Sequence, residues 1–464
     1  MIRLGIKDGY GINEHLIDNA YDEGVDTIVT CDNGIAAIEQ INYGIDKGMT
    51  IIVTDHHDIP FSYDENENKI YKSSRANAIV DPKQAECDYP FELLCGAGVA
   101  YKFVSVLYDR LELDKADMED YAEFMAIATI GDVVDLKNEN RVIVKYGLKH
   151  IAHTKNKGLR ALIEVCQLDI TQLSAYHIGF IIGPCLNASG RLETAKEAIE
   201  LFLSDDIADS YSRATRLKQL NDERKQMTED ESQKAIEMVE TSDMIDDNVL
   251  VVYLPDCHES IAGIIAGRLR EKFYKPVLVI TNAEDGAKGS GRSIDGYNMF
   301  EEISKCADLL TKFGGHPMAA GLSLPIENID EFRRRLNINQ RLTDKELTPV
   351  VWIDVPMPVS YVTMELVEQL KVLEPFGKGN EKPIFADKNL VVKSARLIGK
   401  NSNVLKMQLE SNDGRVVDAI MFHVVDEVIP FKGDSISMVY YPDINEYNGR
   451  KSLQFVVQEW QFCK

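Results

Sequence analysis

An acid and two imidazoles follow one another at Thr54-Asp55-His56-His57, directly after the apolar run Met49-Thr50-Ile51-Ile52-Val53. Carboxylate oxygens and imidazole nitrogens presented together suit Mn²⁺, or a mixed Mn²⁺/Mg²⁺ site, better than a thiolate zinc site. The same pattern occurs once before, at Thr27-Ile28-Val29-Thr30-Cys31-Asp32-Asn33-Gly34, where a β-branched run delivers Asp32 into a turn. A third candidate is Ile127-Ala128-Thr129-Ile130-Gly131-Asp132-Val133-Val134-Asp135, an apolar run that breaks at Gly131 and offers Asp132. A single Asp after a strand is ordinarily a turn former or a helix cap, and a single His an ordinary surface or core residue. Two imidazoles beside a carboxylate at a strand end have little structural use, so Asp55, His56 and His57 are read as chemistry, with Asp32 beside them. Asp135 is read as a turn residue.

The elements that would position these groups follow from apolar spacing. Ile51, Ile52 and Val53 form a buried parallel strand, whose carboxyl end is where open α/β sheets hold their ligands. Ile35 to Lys47 has helical spacing and Gly48 stops it, giving a strand-helix-strand unit. A right-handed crossover brings Asp32 and the Asp55-His56-His57 group to the same edge of one sheet.

The rest of the chain alternates in the same way and then changes character. Residues 1–195 read as a doubly wound α/β domain and residues 196–245 as a connecting segment. Its helix, from Asp205 to Thr241, is predicted to be largely solvated, with Arg213, Arg216, Lys218, Glu223, Arg224 and Lys225 on a wet face. A second, smaller α/β unit spans 246–338, with strands at 248–253 and 276–280 around a helix from Ser260 to Phe273. From 347 to 464 short strands alternate with turn signals, at 389–398, 404–409, 416–422, 435–441 and 452–458, and Asp413-Gly414 and Asn448-Gly449 are hairpin turns. Five strands in that span predict a small barrel of the oligonucleotide-binding kind.

Composition sets the outer limits. A chain of 464 residues has room for roughly two to four domains. With 51 basic and 75 acidic residues the formal charge is −24, which argues against loose, non-specific nucleic-acid binding while leaving room for a local basic groove. The eight cysteines form no CxxC pair and are read as reduced thiols of a cytoplasmic protein. No apolar run is long enough to span a bilayer, so no membrane partner is expected, and Met1 to Asp8 lacks the apolar core of a signal peptide.

With its motifs in order, the sequence resembles the RecJ family of single-strand-specific exonucleases, in the DHH phosphoesterase superfamily. Val29-Thr30-Cys31-Asp32-Asn33-Gly34 is similar to the family's second motif, Thr54-Asp55-His56-His57 to its third and Gly131-Asp132-Val133-Val134 to its fourth. Gly183-Pro184-Cys185-Leu186-Asn187-Ala188-Ser189-Gly190-Arg191 resembles the segment before the connecting helix. Gly289-Ser290-Gly291-Arg292-Ser293 and Gly314-Gly315-His316 resemble the signatures of the associated DHHA1 domain, and Leu373-Glu374-Pro375-Phe376-Gly377-Lys378-Gly379-Asn380 opens the family's barrel. The resemblance implies a two-metal phosphodiesterase, using Mn²⁺ or Mg²⁺, that removes nucleotides from the 5′ end of single-stranded DNA in repair and recombination. It implies that Asp32 bridges both ions, that His56 and Asp132 ligate one of them, that Asp55 orients an imidazole or completes the shell, and that His57 faces the phosphate. Arg191, His258, Ser290, Arg292 and His316 are the candidates for holding the DNA terminus or backbone. Without the resemblance, the Gly-Ser-Gly run would be a flexible turn and His258 a surface residue. Arg268, Arg270, Lys272, Lys275 and Lys288 would supply a basic lane nearby. Single-stranded DNA is the implied partner, with a single-strand-binding protein or a helicase as candidate protein partners.

The sequence departs from this pattern in two places. The family's first motif, a D-x-D cluster, would lie upstream of Gly9-Tyr10-Gly11-Ile12-Asn13, and residues 1–31 contain none; Asp8, Asp18, Asp22 and Asp26 stand in loop or helical contexts. The expectation is an N-terminally incomplete domain with one uncovered sheet edge, one metal short of ligands, and little nuclease activity in this polypeptide alone. A start site placed too far downstream would produce the same sequence. Cys185 stands where the pattern implies a basic residue, removing one phosphate contact. Two rival functions remain at this level: cleavage of oligoribonucleotides or cyclic dinucleotides, which the barrel argues against, and a non-catalytic single-strand-binding scaffold, which the retained Asp32, His56, His57 and Asp132 argue against.

Overall fold

The computed structural model describes residues 11–463 apart from 67, 193, 400, 401, 423, 425–427 and 448. Asp8, Gly9, Tyr10 and Asn448 therefore lie outside the described residues. The chain falls into two compact units, one of residues 26–151, 174–176 and 351–464, the other of residues 1–25, 152–173 and 177–350. Among the described residues no helix is long and apolar enough to cross a membrane.

The first unit contains the parallel sheet. Thr50–Thr54 is its central strand, flanked by Thr27–Val29 and Ala78–Val80. Ile51 and Val53 are fully buried (0 %), whereas Val29 on the edge strand is 41 % exposed. The crossover helix is Ile38–Asp46, and Gly48 at φ +84° ends it, a conformation glycine adopts without a Cβ penalty. Past Val80 the unit turns helical, through Gly96–Arg110, Ala122–Gly131 and Asn138–Ile151. The run from Ile127 to Asp135 is thus not a third strand end. It is the close of a helix, and Asp132 is its C-cap, with its N–H donating to the Ala128 carbonyl at 2.9 Å. Ala122, Met125, Ala126, Ile127 and Thr129 are all buried, and a helix buried nearly all round shows the same unbroken apolar run as a buried strand.

The barrel belongs to this unit. Strands Phe385–Ile398, Val404–Glu410, Val416–Phe422, Arg450–Phe462 and Ser435–Tyr447 pair in that order, and the last returns to the first, so no long edge is left open. The interior is filled by Leu390, Met407, Ile436, Tyr440 and Phe455. Arg415 pins the preceding segment to the wall through the carbonyls of Ser360 (2.8 Å) and Val362 (3.0 Å).

The second unit is a five-stranded mixed sheet whose adjacent order is Leu250–Tyr253, Val277–Ala283, Gly286–Arg292, Ala319–Leu324 and Lys312–His316. Helix Glu259–Phe273 covers one face through Ile261, Ile265 and Leu269 against Val252, Val277 and Val279. Met299, Ile303 and Phe332 cover the other, over Leu278 and Ile280. The Gly-Ser-Gly run is the middle of a central strand, paired on both sides, and not the flexible turn it would be without the resemblance. One expectation is corrected here. The long helix, Ile207–Glu240, is not a largely wet strut, because Ala214, Leu217, Leu220, Thr228, Ser232, Ala235 and Val239 form a buried stripe along it. The many charges between these positions hid that stripe, since half of them are small or polar.

Candidate metal centre and phosphate site

In the first unit two threonines fix the strand ends. Thr54 Oγ1 donates to the Thr30 carbonyl at 2.7 Å and the Thr54 N–H donates to Thr30 Oγ1 at 3.3 Å. The ladder continues beyond the regular strand, with Asp32 N–H on the Thr54 carbonyl at 3.1 Å. Asp32 itself is left-handed at φ +59°, a conformation Asp tolerates better than most residues, and it turns the chain out of the sheet. Helix Gly96–Arg110 starts directly against it: a Cβ on Gly96 would come 2.4 Å from Asp32 Cβ and 2.5 Å from Oδ1.

Asp55 is almost wholly buried (1 %) and saturated with donors. Its Oδ2 accepts from the Ile35 amide at 2.9 Å; its Oδ1 accepts from the His56 amide at 2.8 Å and contacts His57 Nδ1 at 2.7 Å. Burial alone would raise its pKa, but the His57 bond and the two amides outweigh that and hold it down at about 2. His57 is correspondingly raised, first by its bond to Asp55.

His56 presents the other imidazole. Its Nε2 lies 2.9 Å from Asp32 Oδ1 and 3.4 Å from Asp132 Oδ2. The nitrogen is buried and makes no well-directed hydrogen bond, so proximity to the two carboxylates leaves it chemically unsatisfied. The contact with Asp32 nevertheless raises its pKa, with Asp132 adding to the effect. Burial raises Asp132. Donor atoms of Asp32, His56 and His57 all lie within 4.8 Å of one another, as ligands of one small cation do. An unsatisfied buried imidazole nitrogen facing two carboxylates fits a hard-to-borderline divalent ion.

Two contributors were missed from sequence. Asp81 follows the strand Ala78–Val80 as Asp55 follows its neighbour, and the repeated strand-end carboxylate was a usable signal. It is 2 % exposed, its Oδ2 has no hydrogen-bond partner, and burial, with the Asp55 charge, pushes its pKa up to about 6. Gly96 carried no sequence signal at all, since its role is to be absent from the space Asp32 occupies.

The second unit gathers the phosphate candidates. Ser290 pairs across the sheet with Gly321, which pairs with Gly314; Arg292 and His316 stand on either side of Ala319. Residues aligned across a sheet share a face, so Ser290, Arg292 and His316 lie on one face, with glycines as its floor. A cleft of about 810 Å³ opens here, lined in part by Ser260, Lys288, Ser290, Lys312 and Phe313. Arg191 reaches the first turn of helix Glu259–Phe273, donating to the Ser260 carbonyl at 2.8 Å, and Arg292 lies against Gly263, where a Cβ would come 2.9 Å from its Nη2. His258 is the N-cap of that helix, its Nδ1 accepting from the Ser260 amide at 3.3 Å, so one ring nitrogen has a structural task.

Arg224 joins this group, and the sequence had offered it only as part of a wet face. Its Nε is buried without a partner while Nη2 donates to Asn221 Oδ1 at 3.0 Å. Burial lowers the pKa of Arg224, with Arg191 and Arg268 adding to it; burial lowers Arg292 as well, with Arg191 and Arg270 adding. Guanidiniums that depress one another are a preformed demand for an anion. The expected basic lane is largely neutralised by contrast: Arg268 pairs with Glu229 at 2.7 Å, Arg270 with Glu271 at 3.0 Å, Lys272 with Glu240 at 2.9 Å and Lys288 with Glu259 at 2.8 Å. Lys275 is spent on the carbonyls of Ile245 (2.7 Å) and Asp247 (2.6 Å).

Comparison with known proteins gives three domain matches in this order: the DHH family N-terminal domain over residues 5–129, the DHHA1 domain over 246–339 and the RecJ OB domain over 353–459. The chain is 36 % identical to the single-stranded-DNA-specific exonuclease RecJ of Bacillus subtilis, over 98 % of this chain and 57 % of that protein. It is 32 % identical to the protein of that name from Escherichia coli, over 97 % of this chain and 80 % of that protein. The crystal structure of RecJ from Thermus thermophilus in complex with Mn²⁺ superimposes with a TM-score of 0.81 at 25 % identity, covering 98 % of this chain and 64 % of that one. The same protein has been solved with Mg²⁺, with a TM-score of 0.76. The chain thus spans less than two thirds of the Bacillus and Thermus relatives.

Proposed function

Because this chain belongs to the RecJ family of single-stranded-DNA-specific exonucleases, we propose that its two sites serve metal-dependent hydrolysis of single-stranded DNA from the 5′ end. The observation that carries this reading is His56 Nε2, buried, without a directed hydrogen bond, and 2.9 and 3.4 Å from two carboxylate oxygens. Asp32, His56 and Asp132 are assigned as the ligands of one divalent cation, Mn²⁺ or Mg²⁺. When bound, that cation lowers the pKa of a water and offsets charge on the scissile phosphate.

The remaining steps belong to the chain's own side chains. Asp55 holds His57 through Nδ1 at 2.7 Å, which leaves Nε2 free to donate to a phosphate oxygen when the ring is protonated. Asp55 is therefore a positioning residue and His57 the group that meets the substrate. Ser290 and Arg292 are assigned to a terminal phosphate, with Arg191 and Arg224 sharing its charge and His316 closing the row. The barrel supplies a wall for unpaired bases.

The family's second cation needs the carboxylates of a D-x-D motif, which the described residues do not contain. The polypeptide of these 464 residues should then bind one cation and turn over far more slowly than the same chain supplied with an upstream D-x-D segment. The test pairs Mn²⁺ titration calorimetry with digestion of 5′-labelled and 3′-labelled oligonucleotides, single- and double-stranded. One Mn²⁺ per chain, lost in Asp32→Ala, with slow release of 5′ nucleotides from single strands alone, is the expected result. Full-rate digestion without the added segment would overturn the one-cation assignment, and release from the 3′ end the polarity.

A further inference from the structure

Cys166 closes the helix Lys157–Val165, and Cys185 lies in the helix Gly183–Leu192 that also carries Arg191. Their sulfurs are 3.9 Å apart although the residues are 19 positions apart in sequence. The pair is asymmetric in access, since Cys166 reaches solvent in part while Cys185 is fully buried (0 %). It is asymmetric in charge as well. The contact with Cys185 lowers the Cys166 thiol against the effect of burial, and Lys218 and Lys225 of the long helix add to the lowering. Cys185 is raised, by the same contact and by burial. A partly accessible sulfur with thiolate character, backed by a second thiol within reach, is the arrangement of an attacking and a resolving cysteine. Cys463 makes a useful contrast: its thiol is also lowered, but by the neighbouring Ser437 and Ser435 side chains, and its 3.3 Å neighbour is the Ser437 hydroxyl, which cannot resolve an oxidised sulfur.

We propose that Cys166 and Cys185 are a redox modification site at which a hydroperoxide forms a disulfide joining the two helices. The Cys166 thiolate attacks the peroxide oxygen, the O–O bond breaks, and the sulfenic acid forms as the displaced oxygen leaves, protonated, as water or an alcohol. Cys185 then attacks the Cys166 sulfur; the S–O bond breaks, the S–S bond forms, and the hydroxyl departs as water with the Cys185 proton. Two electrons pass from the thiols to the peroxide. Closing the gap from 3.9 Å to about 2.05 Å requires the sulfurs to approach by roughly 2 Å. The bond would tether the helix that carries Arg191 to the C-terminal end of the helix Lys157–Val165, which the two thiols alone do not.

The test treats the folded 464-residue chain with a few equivalents of hydrogen peroxide, quenches in acid, alkylates the remaining thiols and maps the peptides. The expected result is loss of two of the eight thiols, a single linked peptide pair containing Cys166 and Cys185, and full recovery with dithiothreitol. In Cys185→Ala the same treatment should place a dimedone adduct on Cys166. If that variant does not fold, the wild-type map decides alone. Full alkylation of both residues under conditions that oxidise Cys463, a link to a different cysteine, or conversion of Cys166 to sulfinic acid without a link would each overturn the proposal.

Discussion

Under the proposed assignment Asp55 and Gly96 act on the metal centre without offering it a ligand, which makes them sharper probes than the ligands themselves. In Asp55→Asn one of the two oxygens that accept from the Ile35 and His56 amides is replaced by an NH2 donor, and the charge that aligns His57 is lost. Mn²⁺ affinity or turnover should fall about 10–100-fold, as for other groups that orient an imidazole at a metal site, with the circular dichroism spectrum unchanged. An unaltered affinity and rate would remove Asp55 from the machinery. In Gly96→Ala the new methyl group meets the Asp32 side chain within 2.6 Å, and one of the two must move. The cost should be about 1–3 kcal/mol, as for other overpacked sites, and it should appear as weakened Mn²⁺ binding in calorimetry. Gly98→Ala is the control, because its methyl group comes nearest to Leu94, at 3.3 Å; equal effects of the two changes would mean that the helix, not Asp32, is disturbed.

At the scale of elements, the segment from Leu373 to Asn380 does more than open the barrel. Its carbonyls receive the loop that follows Asp132: Leu136 N–H donates to Lys378 at 2.7 Å, and Arg141 Nη2 donates to Val372 at 2.8 Å and Glu374 at 3.1 Å. Gly377 is needed because a Cβ there would come 2.7 Å from Leu136, and Gly379, at φ +72°, would crowd Asp135 at 2.4 Å. Barrel entry and metal loop therefore support each other within one unit. Arg141→Ala should lower stability by about 1.5–3 kcal/mol, the range for hydrogen bonds to a charged group. Urea denaturation measures that loss, and a parallel fall in Mn²⁺ affinity would show that the docking reaches Asp132. No change in the urea midpoint would mean that the docking is idle.

For the whole molecule, the proposed binding of a polyanion has to coexist with an excess of 24 negative charges. The paired lane of Arg268, Arg270, Lys272 and Lys288 contributes little net charge, which leaves the exposed guanidinium of Arg191 and the half-buried ones of Arg224 and Arg292 as the main attraction. Binding through three phosphate contacts predicts a slope of about −2 in log affinity against log salt, at about −0.7 per contact for single strands. Fluorescence anisotropy across a salt series measures it, and Arg292→Ala should reduce the slope by about 0.7. A slope several-fold steeper would mean that an extended basic surface, not this cluster, holds the strand.

Order and type of element were legible in the sequence wherever period and punctuation agreed, as in the strand ending at Thr54, the helix stopped by Gly48 and the five barrel strands. The order of motifs carried the family. Where the run was uniformly apolar, as before Asp132, strand and buried helix looked alike, and where buried positions were small or polar, as along Ile207–Glu240, the buried stripe was masked by charge. What only the tertiary structure decided is which groups meet: Gly96 under Asp32, Asp81 beside Asp55, Arg224 among the arginines, and Cys166 against Cys185. Those pairings join residues far apart in the chain, and they are set by how helices and sheets pack, which local residue patterns do not encode. The sequence by itself thus determined the family and the residue types on offer, and packing decided which of those side chains lie near one another.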